Sequence, residues 1–265
     1  MNAPHETTLP ILLREEREGV VTLTLNRPLQ FNSLSEEMLT ELQAALDSIA
    51  GDAKARAVVI AGAGKAFCAG HDLKQMRANP EKSYQQKLFK QCGRMMMTLT
   101  AMPQPVIARV HGIATAAGCQ LVAMCDLAVA VEGAKFAVSG INLGLFCSTP
   151  SVALGRAMGR KQAMEMLLTG EFIDAAEAQR RGLVNRVVAA DLLDAEVKKL
   201  TDSICAKSAV GVGMGKQLFY RQLEMGLEGA YQLAAETMAC NMMAEDAGSG
   251  IDAFMEKRKP EWKHR

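Results

Sequence analysis

The sequence predicts an α/β fold, in which a core of strands and helices is followed by a helical C-terminal region. Two strand patterns, a helical pattern and a third strand pattern succeed one another across residues 11–61. Units of strand, small-residue turn and helix then recur at 57–73 and 106–124, which indicates successive turns of one repeating architecture. From 191 to 257 the pattern is helical, apart from two short interruptions.

Apolar spacing and turn residues place the elements of the first half. Residues 20–25 alternate valine and leucine with threonine, so together with 11–14 they predict a hairpin with one polar face. The pattern Ser-x-x-Glu at 33–36 is a capping box that marks a helix start. The predicted elements are strands at 11–14, 20–25 and 57–61, helices at 35–50, 73–79 and 81–101, and a glycine- and alanine-rich turn at 62–72.

The same criteria place the elements of the second half. The predicted elements are strands at 105–110, 127–131, 135–138 and 184–188, helices at 119–125, 151–158 and 161–168, a short helix between Asp174 and Gly182, and a loop at 139–150. We predict a division between an α/β core at 1–200 and a helical region at 201–265.

Composition restricts the function classes. Lys and Arg number 30 and Asp and Glu 29, a formal net charge of +1, which argues against a nucleic-acid-binding protein. No uncharged apolar run is long enough to span a bilayer, and the N-terminal segment lacks the features of a secretory signal. The seven cysteines are scattered without a Cys-x-x-Cys spacing, so we expect reduced core residues in a cytoplasmic protein, with neither disulfides nor a metal site.

The stretch 105–126 is the most informative part of the chain. A buried strand pattern ends at His111-Gly112, and the small residues 114–118 lead into an apolar helix pattern. Backbone N–H groups at such a helix start have no partner within the helix, and the positive end of the helix dipole lies behind them. The stretch therefore predicts a site for an anion, or for an oxygen that becomes negative during a reaction.

Five ordered motifs carry a family resemblance. They are A-F-C-A-G-H-D-L-K at 66–74, P-V-I-A-x-V-x-G at 105–112, A-A-G-C-Q-L-V-A-M-C-D at 116–126, A-M-E-M-L-L-T-G at 163–170 and F-M-E-K-R-K-P-E-W at 254–262. Together they resemble the crotonase, or enoyl-CoA hydratase/isomerase, superfamily over nearly the whole chain. The resemblance implies a spiral of β-β-α turns, a helical C-terminal region that forms a homotrimer or a dimer of trimers, and an acyl-CoA of fatty acid metabolism as substrate. It implies no cofactor other than that CoA thioester, and no metal.

The family chemistry is an enolate of a CoA thioester that two backbone N–H groups stabilise. On this sequence the resemblance assigns those donors to His71 and Ala117. Each residue lies in a small-residue turn that enters a helix, where N–H groups lack intrahelical acceptors. The alternative is that both are simply tight turns between a strand and a helix.

The resemblance also implies contacts with the rest of CoA. The backbone of His71, Asp72, Leu73 and Lys74 is expected to lie along the thioester and pantetheine, with Ala69 towards the adenine. Arg27 or Lys74 meets a phosphate, or is a solvated surface charge. The basic segment 257–259 approaches the nucleotide, or caps a helix C-terminus.

The sequence departs from the family at all three positions that handle protons. Gln120 and Gly140 stand where the hydratases have glutamates, and Ser148 stands where some relatives carry an aspartate. An amide cannot exchange a proton near neutral pH and only holds a water by hydrogen bonds. Because a positioned acid or base contributes roughly 10²–10⁴ in rate, we expect hydration by two carboxylates to be nearly abolished.

Other side chains near these positions are candidates to replace the acids. The His71 imidazole could titrate beside the proposed donors, and Cys147 or Ser148 could act as a nucleophile if a base were near. His111 and Asp126 are expected to be hydrogen-bonded structural residues. Asp72 is expected either to cap a helix or to contact the ligand.

Three functional hypotheses remain from the sequence. The first is an enzyme of the hydratase/isomerase type that stabilises a thioester enolate, with Gln120 orienting a water or the acyl chain. The second is a non-catalytic acyl-CoA binding or regulatory protein. The third is a different CoA-thioester reaction, such as decarboxylation, which needs enolate stabilisation but no strong base.

Overall fold

The computed structural model describes residues 10–265. The N-terminal segment considered for a secretory signal, and His5 within it, lie outside the described residues. The strands are β1 (Leu12–Arg17), β2 (Val20–Leu25), β3 (Ala57–Gly62), β4 (Ala66–Cys68), β5 (Val106–Val110), β6 (Ile113–Thr115), β7 (Leu127–Val131), β8 (Lys135–Ala137), β9 (Ile173–Asp174) and β10 (Arg186–Val188).

Eleven α-helices lie within this described range. They are α1 (Glu36–Ala50), α2 (Leu73–Ala78), α3 (Lys82–Ala101), α4 (Ala117–Met124), α5 (Ser148–Ala157), α6 (Arg160–Thr169), α7 (Ala175–Arg180), α8 (Leu193–Cys205), α9 (Ala209–Gln222), α10 (Leu227–Met242) and α11 (Glu245–Met255). Short 3-10 helices occupy Pro28–Gln30, Ser139–Leu143 and Ala190–Leu192.

The strands form two sheets that are built in parallel steps. The first sheet has the order β1-β2-β3-β5-β7-β10, and the second has the order β4-β6-β8-β9. Within residues 10–265, only β1–β2 and β8–β9 pair antiparallel. Each of the pairs β3/β4, β5/β6 and β7/β8 supplies one strand to each sheet and is followed by helix. This is the predicted spiral of β-β-α turns, and the α/β fold class is confirmed.

Burial explains why the central strands read as continuous apolar runs. Five of the six residues of β3 are buried, and β4 is buried throughout. Strands of a parallel sheet that is covered on both faces have no solvent side, so they lose the alternation seen in β2. Leu23, Leu46, Ile60 and Phe67 are fully buried members of the single large core that results.

Several local predictions were wrong at turns. The strands β4 and β6 lie in segments predicted as turns, because three small or mixed residues show no period. Helix α4 begins at Ala117, two residues before the predicted start, and α5 begins at Ser148, inside the predicted loop. Neither helix start has a side-chain hydrogen bond at its N-cap, so the usual sequence signal is missing.

The predicted division between residues 200 and 201 falls inside one continuous helix. Helix α8 runs across it and lies against β3, β5 and β7, with Leu193 and Val197 buried. The next break between helices comes after Cys205. Assignment of 201–265 to oligomerisation stays a prediction.

A buried ion pair attaches α9 to the core. Lys216 Nζ lies 2.7 Å from Asp126 Oδ2 and donates to the carbonyl oxygens of Leu99 and Gln104 at 2.7 and 2.8 Å. Tyr220 donates to Asp126 Oδ1 at 2.8 Å. Burial lowers the pKa of Lys216, although the adjacent Asp126 carboxylate opposes this. All three ammonium protons have acceptors, so the charge is compensated.

We expect Lys216→Met to reduce the free energy of unfolding by about 3–5 kcal/mol, because it leaves the Asp126 carboxylate buried without its cation. Chemical denaturation measures the change. Lys198→Met is the matched control, since Lys198 and its partner Asp202 are both exposed and their ion pair adds little. Equal stability of the two variants would contradict the structural role of the buried pair.

Candidate active site

The turn at 69–72 has one backbone N–H without an acceptor. This turn runs parallel to residues 31–34, and Leu34 and His71 form a parallel bridge. The hydrogen bonds are Ala69 N–H to Phe31 O at 3.0 Å, Leu34 N–H to Gly70 O at 2.7 Å and Asp72 N–H to Leu34 O at 3.3 Å. The Gly70 N–H points to the Cys68 thiol and opposes the rise that burial causes in the pKa of that thiol. Within the described residues, the His71 N–H alone of these four is uncommitted.

The turn at 116–117 presents a second uncommitted N–H. Ala116 continues the β6–β8 pairing by donating to Ala137 O at 2.9 Å. The first helical bond of α4 runs from Gln120 N–H to Ala116 O at 3.0 Å. The Ala117 N–H therefore precedes the helical ladder, and no acceptor for it lies within residues 10–265.

The two turns are in contact. A Cβ on Gly70 would lie 2.8 Å from the Ala116 Cβ and 3.1 Å from the Ala117 nitrogen. Gly70 also has a φ of 92°, a conformation that favours glycine. Since His71 follows Gly70 directly, both uncommitted N–H groups lie where the turns meet. Two neighbouring donors of this kind are suited to hold one developing oxyanion if both point to it.

Ala116 is held in an unfavourable conformation. Its φ and ψ are 50° and −121°, which a residue with a Cβ seldom adopts. Such a conformation costs about 1–3 kcal/mol and persists only where the surroundings enforce it. Here the β6–β8 bond holds one side of the residue and the first α4 bond holds the other. The strain lies directly before the Ala117 donor.

The His71 side chain is neutral at physiological pH. Its ring packs edge-on against Phe89, with the centroids 5.3 Å apart. Nε2 is buried and has no partner within the described chain. Burial lowers the pKa of His71 to about 4. The ring therefore has no charge to offer a substrate near pH 7, whereas its backbone N–H is unaffected by titration.

The side-chain amide of Gln120, on α4, is buried, and its oxygen has no hydrogen-bond donor within residues 10–265. The residue is 4% exposed, and its Oε1 is buried without a donor from the described part of the chain. Gln120 lies three residues after Ala117, so both are on one face of the helix. A buried polar atom of this kind favours a bound group that can donate a hydrogen bond to it.

The backbone around Gly140 leaves no room for a side chain. Leu145 N–H donates to Gly140 O at 3.0 Å, and the Gly140 N–H points to the Cys147 thiol. A Cβ at position 140 would lie 2.8 Å from both Cys147 Sγ and Leu145 O. The loop therefore leaves no space for a carboxylate side chain at position 140.

Sequence reasoning missed a pair of hydroxyls between these segments. Thr115 Oγ1 and Ser139 Oγ lie 2.9 Å apart. These residues immediately precede Ala116 and Gly140. Their position next to two candidate site segments was the sequence signal that could have identified them. One hydroxyl proton serves their mutual bond, so the other remains free to donate elsewhere.

Cys147 and Ser148 lie beside this loop without a base. Burial raises the pKa of the Cys147 thiol, although the Gly140 N–H opposes this. Ser148 is exposed, and its hydroxyl donates to Phe146 O at 3.3 Å. A protonated thiol and a hydroxyl without a base are poor nucleophiles.

The charged candidates lie around the 69–72 turn. Asp72 Oδ1 accepts the Gln75 N–H at 3.2 Å and so caps α2, as one of the two expectations had it. Arg27 is 19% exposed and pairs with Asp72, so it is not a freely solvated charge, and its contact with a phosphate stays a prediction. Leu73 and Lys74 are exposed in the first turn of α2, and residues 257–259 are exposed beyond α11.

A cavity of about 420 Å³ lies elsewhere, between the outer face of β1–β3 and α8. Arg109, Asp194 and Thr201 are among its lining residues, and none of the candidate site residues is. Within the described residues, no helix has the length and hydropathy needed to cross a bilayer, and no cluster of three or more His, Cys, Asp or Glu is arranged to bind a metal.

Comparison with known proteins places this chain in a family. Residues 15–265 match the family described as Enoyl-CoA hydratase/isomerase. The chain is 43% identical over 263 residues to the mitochondrial enoyl-CoA hydratase domain-containing protein 3 of Xenopus laevis, covering 99% of this chain and 90% of the relative.

Solved structures agree. An enoyl-CoA hydratase from Mycobacterium smegmatis is 61% identical with a TM-score of 0.94, covering 96% of this chain and 99% of that one. Human enoyl-CoA hydratase domain-containing protein 3 is 42% identical with a TM-score of 0.93, covering 96% and 100%. The segments A-T-A-A-G-C-Q at 114–120 and G-L-F-C-S-T-P at 144–150 predict a likeness to this third mammalian protein and its bacterial relatives, which the matches confirm.

We expect Gly140→Ala to destabilise the protein by about 1–3 kcal/mol, because its Cβ would overlap Cys147 Sγ and Leu145 O. Adding Cys147→Ala should recover part of the loss and not all of it, since the Leu145 carbonyl remains. Thermal and chemical unfolding measure both. The control is Gly155→Ala in α5, where a Cβ meets nothing within 4 Å and stability should rise. A neutral Gly140→Ala would contradict the closed loop.

The depressed pKa of His71 predicts a loss of stability in acid. Above pH 6.5 neither the folded nor the unfolded state protonates this ring. Between 6.5 and about 4 the unfolded state binds the proton more tightly, so stability falls as pH falls, by up to about 3 kcal/mol. In His71→Phe the dependence of unfolding free energy on pH should be flatter across this window, while His111 contributes equally to both proteins. Identical pH profiles would contradict the burial of a neutral His71.

Proposed function

The chain belongs to the enoyl-CoA hydratase/isomerase family, and we propose that it binds acyl-CoA thioesters with the carbonyl oxygen between the N–H groups of His71 and Ala117. The single observation that carries this proposal is the meeting of these two uncommitted donors where Gly70 touches Ala116. Family membership supplies the ligand class, and the geometry supplies the reason that a thioester oxygen fits.

This arrangement would stabilise an enolate. Formation of an enolate moves negative charge onto the thioester oxygen, and donors that are already oriented need no rearrangement at that moment. The strained Ala116 and the parallel bridge at Leu34 both restrict the donors. Removing one such donor in other enzymes costs about 10²–10³ in rate. Catalysis here would rest on charge stabilisation.

The site does not provide the two glutamates that transfer protons in the family's hydratases. Gln120 and Gly140 carry no carboxyl group, and the loop at Gly140 has no room for one. We propose that Gln120 orients a water or the acyl chain through its amide. Hydration by two carboxylates is therefore not the proposed reaction. A thioester reaction that needs no strong base, such as decarboxylation, remains compatible.

A second candidate is a non-catalytic acyl-CoA binding or regulatory protein. The closed loop at Gly140 favours it, because a site that had only lost a side chain would keep the space for it. Both candidates share the thioester site and differ in turnover. The enzyme reading rests on the retained donors.

The remaining contacts and the assembly are proposed from the family. The backbone of 71–74 would follow the pantetheine, with Ala69 towards the adenine, Lys74 near a phosphate, and Ser148 at the acyl group. Exposed apolar side chains on α9–α11 support a homotrimer or a dimer of trimers: Phe219, Tyr231, Met238, Ile251 and Phe254. The Xenopus relative is mitochondrial by name, and a cytoplasmic location of this chain stays a prediction.

Calorimetric titration with butyryl-CoA and free CoA, alongside an assay of crotonyl-CoA hydration, tests the proposal. We expect butyryl-CoA to bind more tightly than CoA, with hydration nearly absent. Absence of thioester binding would sink both candidates. Rapid hydration would contradict the proposed loss of the two-carboxylate reaction.

The variant Gly70→Ala examines the donors themselves. Its Cβ would press on the Ala117 nitrogen and the Ala116 Cβ, so the turns should separate. We expect the affinity for butyryl-CoA to fall by about tenfold or more, roughly the worth of one hydrogen bond, while the affinity for free CoA changes little. Gly155→Ala is the control. Unchanged thioester affinity in a folded Gly70→Ala protein would contradict the assignment.

A further inference from the structure

We infer that Arg27 is a positioning residue for the thioester: it holds the two segments that orient the His71 N–H. This inference rests on the proposed function, because it concerns the same carbonyl oxygen. Arg27 lies outside the segments that supply the donors. Its partners, Ser33 and Asp72, are brought to it by the fold.

The Arg27 guanidinium connects both sides of the bridge between Leu34 and His71. Its Nη1 donates to Ser33 O at 3.0 Å and to Ser33 Oγ at 3.2 Å. Its Nη2 donates to Asp72 Oδ2 at 3.1 Å. One planar group therefore contacts the residue before Leu34 and the residue after His71.

The direction of the His71 N–H follows from this bridge. In a trans peptide the C=O and N–H point in opposite directions. Gly70 O accepts from Leu34 N–H at 2.7 Å, so the N–H on the same peptide points away from Leu34. Any movement of the 33–34 segment relative to the 71–72 segment would re-aim it. Arg27 is the side chain that spans the two segments.

The carboxylate at the other end is equally restrained. Asp72 Oδ1 caps α2, while Oδ2 faces Arg27. Burial by itself would raise the pKa of Asp72, but the Gln75 N–H and the guanidinium outweigh it and hold the pKa below its ordinary value. Its backbone bond to Leu34 O is long, at 3.3 Å, so the ion pair adds restraint where the bridge is weakest.

The Arg27 main chain is itself fixed. Its N–H donates to Asn32 Oδ1 at 2.9 Å, and Asn32 Nδ2 donates to Ala63 O and Ala66 O at 2.8 Å each. Asn32 is fully buried with a φ of 55°. The guanidinium thus projects from a rigid loop. A lysine there could reach one partner, but its single ammonium cannot reproduce the planar fork that serves both.

The experiment measures the polarisation of the bound carbonyl directly. The protein is titrated with butyryl-CoA labelled with ¹³C at the thioester carbon, and the bound resonance is compared with the free one. Affinities for butyryl-CoA and free CoA are measured in parallel. The variants are Arg27→Gln, Arg27→Lys and Asp72→Asn. The matched control is Arg181→Gln, since Arg181 is similarly buried and pairs with Glu165 and Glu177 on α6 and α7.

We expect a downfield shift on binding to the wild type and to Arg181→Gln. In Arg27→Gln and Asp72→Asn that shift should fall by about half or more, and thioester affinity relative to CoA should fall about tenfold. Arg27→Lys should recover only part of both. A merely structural role would lower stability and leave the shift of the folded fraction unchanged.

The possible outcomes distinguish a failure of the proposed function from a failure of the positioning role of Arg27. No carbonyl shift in the wild type would overturn the proposed function. A wild-type shift that Arg27→Gln and Asp72→Asn both retain would overturn the inference and leave the function standing. Should circular dichroism show that Arg27→Gln is unfolded, Arg27→Lys and Asp72→Asn decide by the same two measurements.

Discussion

The contact between the turn at 69–72 and the turn at 116–117 is the constraint on which the site depends, and the fold is arranged to bring it about. Strands β4 and β6 are parallel neighbours in the second sheet, with Ala66 opposite Ile113 and Cys68 opposite Ala114. Both strands therefore end at the same edge, and both turns leave from it. β4 is buried throughout and β6 is buried at Ala114, so packing supports these short strands, which could not persist alone. A glycine at 70 then allows the backbones to touch.

The site separates two tasks that hydratases of this family combine. Charge stabilisation depends on backbone groups, which any residue with the right conformation provides, and here those groups remain uncommitted. Proton transfer depends on side chains, and in the proposed function Gln120 and Gly140 stand at the positions of the family's acids. Position 140 has no space for a side chain, because Leu145 O and Cys147 Sγ would meet its Cβ. Restoring a carboxylate at position 140 would thus require a different loop conformation, whereas the backbone donors would need no change. Thioester binding therefore depends on the backbone donors and not on the side chains at 120 and 140.

Much of the fold could be predicted from local pattern, and the failures have a common cause. The capping box at Ser35 marks the start of α1, with Met38 N–H donating to Ser35 Oγ at 3.2 Å, and the hairpin β1–β2 follows from its alternation. The two donors could be proposed because the family resemblance assigns them, and a small-residue turn before a helix is a local feature that supports the assignment. The pairing of Arg27 with Asp72 could not, since the two residues are 45 positions apart. The closure at Gly140 was equally hidden, because a glycine in a sequence does not reveal what its Cβ would meet.

The methyl group of the strained Ala116 fills the space at the contact between the two turns. The space between them holds one methyl group, which at present belongs to Ala116, since a Cβ on Gly70 would meet it at 2.8 Å. Side chains at positions 70 and 116 therefore compete for the same space, although the two positions are 46 residues apart in the chain. A Cβ at position 70 would still lie 3.1 Å from the Ala117 nitrogen and the Thr115 oxygen, so loss of the Ala116 methyl would relieve only part of its overlap. The effects of substitutions at the two positions are therefore coupled, since each changes the space that the other has.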